Sequence, residues 1–178
     1  MEIEAMSTFK QVLVGTLAVA SMLAASTSFA ASYSRVGGAG SSNFTGKTNA
    51  TVLGNSLPCD SVKLTVNVTA SGTASVTAAD FETRAPGTLG YSAACDAITS
   101  NGLPWTISPP TSDAGPGNVK VNSVSVTIPA LGATCPGNVT GTLNNSGVFS
   151  FSGALGLCTV NSVSPHLSSS PVVDAIFP

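Results

Sequence analysis

Apolar and polar residues alternate with a period of two over several stretches after residue 30, which is the pattern of β-strands. The clearest stretch is residues 62–68, where Val or Leu occupies every second position. A turn sequence follows at residues 70–72, and the alternation resumes over residues 74–78. We therefore predict a β-hairpin over residues 61–82.

A second hairpin is predicted further along the chain. Residues 139–143 alternate in the same way, and Asn144-Asn145-Ser146-Gly147 is a turn sequence. Phe149 and Phe151 then continue the alternation on the returning strand. The pattern predicts a hairpin that runs from residue 139 to residue 151.

The apolar phase changes between these two hairpins. Val119 and Val121 fit one alternation, whereas residues 124–128 fit the other, which predicts a β-bulge near Asn122-Ser123. Shorter candidate strands lie at residues 44–53, 88–94, 158–163 and 171–177.

The strand spacing and the absence of helical periodicity predict an all-β fold. About eight to ten short strands separated by turn sequences are typical of an antiparallel β-sandwich of the immunoglobulin-like or Greek-key type. A closed barrel is the alternative arrangement. We assign residues 44–178 to one sandwich domain, and the Gly- and Ser-rich residues 31–43 to a flexible N-terminal arm.

The N-terminal residues read as a secretory signal peptide. An apolar run over residues 11–24 follows Lys10 and precedes Ser28-Phe29-Ala30, whose small residues suit a signal peptidase. The run is too short for a membrane span, and no later stretch is long enough. We predict that residues 1–30 are a signal peptide, that translation starts at Met6, and that the protein is secreted.

The cysteine pattern agrees with export. The chain has four cysteines, and their even number in an exported protein favours disulfides over a metal site. Cys59 and Cys95 bracket the first hairpin, whereas Cys135 and Cys158 bracket the second. The open ends of a hairpin lie close together, so of the three possible connectivities we favour Cys59 with Cys95 and Cys135 with Cys158.

Composition excludes nucleic acid as a partner. Only 8% of the residues are charged, the formal net charge is −2, and no basic run occurs. Binding to a nucleic acid backbone needs clustered positive charge, which this chain lacks.

Few residues offer catalytic chemistry. His166 is the only histidine, it lies among turn residues, and no G-x-S-x-G sequence places a serine nucleophile, so we interpret it as a loop histidine. Asp80 and Glu82 would share one strand face and could join a calcium site, although solvated charges are the simpler interpretation. Asp60 and Asp96 each follow a cysteine, so a bridge between those cysteines would draw the two acids together. We predict no catalytic residue, cofactor or metal.

The only tryptophan lies in Leu103-Pro104-Trp105. An indole buries a large apolar area, so we interpret Trp105 as a core residue at the entrance to a strand. The alternative is a residue of an exposed binding surface.

Several segments together resemble the bacterial family of alkane oxidation activators, from about Phe44 to the end of the chain. The resemblance rests on Leu57-Pro58-Cys59, Cys95, Ser100-Asn101-Gly102-Leu103-Pro104-Trp105, Cys135-Pro136-Gly137-Asn138-Val139 and Cys158. It implies a small secreted protein of pseudomonads and their relatives that promotes growth on n-alkanes by helping to disperse the hydrocarbon. It implies no catalytic residues.

Surface chemistry is compatible with that function. With so few charges, the mature chain depends on Ser, Thr, Asn and backbone groups for its solubility. Such a surface has a low desolvation cost on contact with oil. We expect a non-enzymatic accessory protein that promotes alkane utilisation by surface activity or hydrocarbon dispersal. Its expected partner is the hydrocarbon–water interface or the cell surface, and it could also self-associate.

The alternative function is structural. Phe44-Thr45-Gly46, the pair of Cys59 and Cys95, and the penultimate Phe177 are similar to features of chaperone-usher pilins. This favours a subunit of a fimbria or another surface fibre. Cys135 and Cys158 depart from the usual single bridge of that family. A hydrolase built on His166 is the third possibility.

Overall fold

The computed structural model describes residues 30–178, and the predicted signal peptide lies outside this range except for its last residue. The strands are β1 (Ser32–Arg35), β2 (Gly40–Val52), β3 (Asn55–Val68), β4 (Ala74–Asp80), β5 (Thr99–Ser100), β6 (Trp105–Ile107), β7 (Val119–Ile128), β8 (Ala133–Leu143), β9 (Val148–Leu155), β10 (Cys158–Ser170) and β11 (Val173–Ile176). One helical turn, α1 (Ala93–Asp96), and one 3-10 turn (Pro129–Leu131) are the other regular elements of the described residues.

The main sheet is an eight-stranded antiparallel barrel, so the predicted β-sandwich is wrong. Neighbouring strands follow the order β7-β6-β4-β3-β2-β10-β9-β8, and β8 pairs again with β7 to close the sheet. The short β5 pairs with β7 beside β6. The alternation of side chains is the same in a sandwich and in a small barrel, because both have one apolar and one polar face. The pairing of β7 with β8 decides between them.

Both predicted hairpins are confirmed. β3 and β4 pair around the turn at residues 69–73, and β8 and β9 pair around the turn at residues 144–147. The candidate strand at residues 88–94 is wrong, since that stretch holds turns and the start of α1. The other short candidates overlap β2, β10 and β11.

Two β-bulges keep apolar side chains inside the barrel. The predicted bulge at Asn122-Ser123 is confirmed, because β7 has one more residue than β8 between its paired positions Val121 and Val124. Ser123 takes a positive φ of 55° there. In the same way β3 has an extra residue opposite Gly46 and Thr48 of β2. Each bulge changes the phase of its strand, so that buried residues on both sides of it face inward.

Gly141 marks a point of close approach in the wall. A Cβ atom at this position would lie 2.5 Å from the carbonyl oxygen of Ser150 and 2.5 Å from the ring of Phe149. Any larger residue would therefore push β8 away from β9. Glycine at such positions lets a small barrel curve tightly.

The two ends of the barrel are covered differently. We name residues 81–104 the lid segment, which lies over the end where β4 finishes, and we call this the lid end. The opposite end is covered by the antiparallel ribbon of β1 and β11. Tyr33 and Val173 of this ribbon are buried in the core. Residues 32–35 and 40–43, predicted to be a flexible arm, thus lie in β1 and β2.

Candidate functional site

The barrel interior contains two apolar cavities. The larger, of about 70 Å³, lies towards the lid end, and the smaller, of about 40 Å³, lies towards the ribbon end. Four residues border both cavities: Leu64, Val76, Val121 and Phe149. The cavities are therefore adjacent spaces within one core.

The lid segment is held to the barrel wall by a disulfide. Cys95 of α1 bonds to Cys59 of β3, and both cysteines are buried with Val62. Phe81, the first residue of the segment, and Ile98, in its last third, line the larger cavity. The lid segment thus forms part of the cavity wall as well as covering the barrel end.

The predicted Leu103-Pro104-Trp105 segment leads from the lid into β6. Trp105 is 3% exposed and lines the larger cavity, and its indole nitrogen donates a hydrogen bond to the carbonyl oxygen of Asn101 at 2.8 Å. The structure places this tryptophan in the core at the start of a strand, away from solvent.

The second disulfide lies at the same end of the barrel. Cys135 of β8 bonds to Cys158 at the start of β10, so the bridge spans the end of β9. All four cysteines are thus paired, in the two combinations that hairpin geometry predicts. Two buried disulfides indicate folding in an oxidising compartment.

Glu82 organises the lid segment. Its carboxylate accepts hydrogen bonds from the Arg84 guanidinium at 2.8 and 2.9 Å, from the Arg84 backbone N–H at 3.0 Å and from the Ser92 N–H at 2.9 Å. The residue is 4% exposed. The hydrogen bonds from Arg84 are the main cause that lowers the pKa of Glu82 from 4.5 to about 2, against the opposing effect of burial.

Replacing Glu82 tests this arrangement. In Glu82→Gln the amide nitrogen would face N–H donors, so we expect the free energy of unfolding to fall by about 1–3 kcal/mol at pH 7. The pKa is lower in the folded chain, so the carboxylate stabilises the fold fully above pH 4.5 and loses this contribution as the pH falls towards 2. Urea unfolding from pH 7 to pH 2 should therefore show the wild type and the variant converging in acid. A constant difference across that range would contradict this role for Glu82.

One side of the barrel carries no Asp, Glu, Lys or Arg. From Val121 to Val173 the chain contains no Asp, Glu, Lys or Arg, and this stretch forms β8, β9, β10 and most of β7. These four strands are neighbours in the barrel. We call them the uncharged wall; its outer face presents mainly Ser, Thr, Asn and Gly.

Two exposed leucines lie in neighbouring hairpin turns at the lid end of the barrel. Leu53 and Leu157 are 78% and 75% exposed and lie in the two-residue turns of the β2–β3 and β9–β10 hairpins. Their chain neighbours Val52 and Cys158 are paired across β2 and β10, so the two turns are adjacent. We call Leu53 and Leu157 the leucine tip.

Leu53 is not the residue type that its turn favours. Leu53 has a φ of 48°, in the left-handed region where Asn and Gly are favoured and a leucine is strained. The side chain gains little burial in return, since most of it is exposed. Leu53 thus combines an exposed apolar side chain with a strained backbone.

His166 lies in an open groove on the uncharged wall. The groove has a volume of about 350 Å³, and its lining includes Ser, Thr and Gly residues but no carboxylate. His166 Nδ1 lies 2.9 Å from Ser162 Oγ, which also accepts the Phe151 N–H. Ser162 is 7% exposed, so its hydroxyl bridges β9 and β10 within the wall and is poorly placed to attack a substrate.

The acids singled out in the sequence are not brought together into a site. Asp80 accepts the backbone N–H of Glu82, while Asp60 forms an ion pair with Lys47 and Asp96 accepts the Tyr91 hydroxyl. Within residues 30–178, no cluster of His, Cys, Asp and Glu has a geometry that could hold a metal ion.

Sequence reasoning missed the leucine tip, the lid segment and the Glu82 network. The tip has a local signal, since Leu53-Gly54 and Gly156-Leu157 are turn-like pairs that carry an unexpected leucine. The uncharged wall can be found by counting charges along the chain. The hydrogen bond from Ser92 to Glu82 has no sequence signal, because Ser92 lies ten residues away in an irregular segment.

Comparison with protein families gives one match. The family model described as "Alkane oxidation protein activator PraA/PraB-like" matches residues 6–176. Neither the curated proteins nor the solved structures that were compared gave a match. Among residues 30–178, no helix has the length and apolar character needed to cross a bilayer.

Proposed function

The chain belongs to the PraA/PraB-like family of alkane oxidation activators, and from this premise we propose that it is a secreted, non-enzymatic accessory protein of alkane utilisation. It adsorbs at the hydrocarbon–water interface and helps to disperse the hydrocarbon. The leucine tip is the observation that carries this proposal.

The leucine tip suits insertion into an apolar liquid. Transfer of a leucine side chain from water to an apolar phase is worth about 1.5–3 kcal/mol, so Leu53 and Leu157 together provide about 3–6 kcal/mol. Short turns between paired strands already hold both side chains, which keeps the entropy lost on adsorption small. The tip can therefore anchor the barrel by its lid end.

The uncharged wall lowers the cost of approach to oil. Removing an ion from water is far more costly than removing a hydroxyl or an amide group, and the wall next to the leucine tip has no Asp, Glu, Lys or Arg side chain. The charged residues on β2, β3 and the lid segment, including Lys47, Asp60 and Arg84, favour the water phase. This unequal distribution would orient the barrel at the interface.

A non-enzymatic role is supported by the surroundings of His166. Its neighbour Ser162 is buried, and the open groove around it has no carboxylate, so the groove lacks the accessible nucleophile and the acid that a hydrolase triad needs. Secretion is supported by the two disulfides. A fibre subunit is less well supported, because β7–β8 pairing closes the described barrel and leaves free strand edges only in the short β1–β11 ribbon and in the first half of β3.

Replacing the leucine tip by turn-favouring residues separates function from stability. The double variant Leu53→Asn/Leu157→Asn creates Asn-Gly and Gly-Asn turns, so we expect its stability to match or exceed that of the wild type. Losing about 3 kcal/mol of apolar transfer should weaken adsorption about 100-fold. Pendant-drop tensiometry at a hexadecane–water interface measures this effect, because the fall in interfacial tension should need a higher protein concentration.

A matched control uses exposed apolar residues at the ribbon end. Val36 and Ile176 are 66% and 41% exposed there, so Val36→Asn/Ile176→Asn should adsorb like the wild type. Equal adsorption of all three proteins would refute the role of the leucine tip. An unchanged interfacial tension with the wild type would refute the proposed function itself, and fibres in electron micrographs would favour the structural alternative.

A further inference from the structure

Strand β10 leaves the barrel ladder in its middle. Between its paired positions opposite Ser152 and Phe149 of β9, β10 has five residues where β9 has two. We call these five residues, 162–166, the arch; residues 164–166 are exposed, so the arch stands out from the uncharged wall. Gly46 of β2 makes room for it, since a Cβ atom there would lie 2.8 Å from the backbone carbonyl of His166.

The hydroxyl of Ser162 fixes the arch to the wall. It accepts the Phe151 N–H at 2.9 Å, at the point where the ladder between β9 and β10 is interrupted, and it lies 2.9 Å from His166 Nδ1. His166 is exposed and lines the groove described above. With Nδ1 engaged by Ser162, Nε2 is the ring nitrogen left for a ligand.

Hydroxyl-bearing residues of β8 and β9 form the opposite side of the groove. Thr140 pairs with Ser152 and Thr142 pairs with Ser150, and directly opposed residues of an antiparallel pair share one face of the sheet. Thr142 accepts the Gly117 N–H at 3.3 Å, whereas Thr140 and Ser152 are exposed. Each hydroxyl can both donate and accept a hydrogen bond. The groove therefore presents a set of neutral groups that suit either role.

The lining restricts the kind of ligand. Among the described residues, those that line the groove include no Asp, Glu, Lys or Arg, and Lys120, which pairs with Thr140 from β7, lies outside the lining. A charged ligand would thus lose its hydration without gaining an ion pair. A purely apolar ligand would bury the hydroxyls without hydrogen bonds. An extended peptide would find no free strand edge here, since β8 and β9 are each paired on both sides.

We propose that the groove between the arch and β8 binds one neutral sugar ring. Sugar hydroxyls match the mixed donors and acceptors of the lining, and the groove volume of about 350 Å³ suits a small ligand, since ligand clefts span about 300–1,000 Å³. The ring belongs either to a polysaccharide or to the headgroup of a glycolipid. This site is separate from the leucine tip and requires no adsorption to oil.

Titration with the methyl glycosides of glucose, galactose and mannose tests the site. In two-dimensional ¹H–¹³C NMR spectra of the mature protein, we expect at least one of them to give saturable shifts of the Thr140 and Thr142 methyl signals and of the His166 ring signals. The methyl signal of Thr159, which lies outside the groove lining, should stay in place. Glucuronate and glucosamine are the charged controls and should bind more weakly.

The octyl glycoside of the sugar that binds, used below its critical micelle concentration, distinguishes the two sources. A lower dissociation constant for the octyl than for the methyl glycoside indicates a glycolipid. A dissociation constant that is no lower indicates a polysaccharide. The leucine-tip variant Leu53→Asn/Leu157→Asn should bind the methyl glycoside like the wild type, which separates this site from adsorption.

Matched substitutions test the hydroxyl groups. Thr140→Val/Ser152→Ala removes two exposed hydroxyls and should weaken binding about tenfold, the loss expected for two hydrogen bonds, with an unchanged thermal midpoint. The control Thr51→Val/Thr159→Val removes a cross-strand pair of hydroxyls from β2 and β10 outside the groove lining and should bind like the wild type. His166→Ala in the exposed arch should also weaken binding.

Three results would overturn the proposal. The first is the absence of saturable shifts with all three methyl glycosides. The second is an unchanged dissociation constant in both Thr140→Val/Ser152→Ala and His166→Ala. The third is tighter binding of glucuronate or glucosamine than of every neutral glycoside, which would show that the groove recognises charge.

Discussion

Removing the lid disulfide with Cys59→Ser/Cys95→Ser should lower the free energy of unfolding by about 4 kcal/mol. The bridge closes a loop with a sequence separation of 36, and the loss of this constraint stabilises the unfolded chain by that amount in the chain-entropy description. The lid segment should also detach from β3 more often, because α1 contacts that strand. Urea unfolding measures the first effect.

Limited trypsin digestion measures the second effect. Arg84 is the only trypsin site in the lid segment, and the folded wild type holds it against the buried Glu82. We expect early cleavage after Arg84 in Cys59→Ser/Cys95→Ser, before cleavage at the lysines of the barrel strands.

The other disulfide supplies the matched control. Cys135→Ser/Cys158→Ser removes a bridge with a sequence separation of 23, so the expected loss of about 3 kcal/mol is similar. That bridge joins β8 to β10, far from Arg84 along the chain, and its loss should not speed early cleavage there. Equal rates of cleavage at Arg84 in both variants would show that the lid segment does not depend on its own disulfide.

Trp105→Ala should lower the free energy of unfolding by about 3–5 kcal/mol. The indole is almost fully buried between the lid segment and the barrel, and its removal joins a new void to the larger cavity. It also removes the hydrogen bond to Asn101 that ties the lid segment to the start of β6. Thermal and urea unfolding of the purified variant provide the measurement.

An exposed aromatic residue is the control for this substitution. Phe177 is 44% exposed, so Phe177→Ala should cost less than about 1 kcal/mol. Trp105→Phe should lie between the two, since it keeps much of the apolar volume and loses the N–H donor. A cost for Trp105→Ala no greater than that for Phe177→Ala would show that the indole does not support the lid.

The local pattern predicted the strands better than their arrangement. The hairpins and the bulge at Asn122-Ser123 follow from alternation and turn residues within short windows, and both are present. The candidate strand at residues 88–94 failed because a short apolar and polar mixture without strong β-branched content fits a turn equally well. The sandwich prediction failed for a different reason, since alternation reports which face is buried and not which strands meet.

The candidate site was predictable only in part. A search for catalytic chemistry directs attention to His166, whereas the groove around it holds hydroxyl groups and glycine. The interpretation of Glu82 as a solvated charge is wrong, since the residue is buried and its partner Ser92 becomes a neighbour only when the lid segment folds back. The adjacency of Leu53 and Leu157 likewise depends on the pairing of β2 with β10.

The sequence by itself determined the all-β class, the inward and outward faces of the main hairpins, the pairing of the cysteines and the low charge of the surface. These properties depend on neighbouring residues, on hairpin geometry or on composition. Only the tertiary structure decided that the sheet closes into a barrel, that a lid segment covers one end, and that apolar cavities and a leucine tip result. These features arise where residues distant in the chain meet, and no local periodicity encodes which strand becomes the last neighbour of the first.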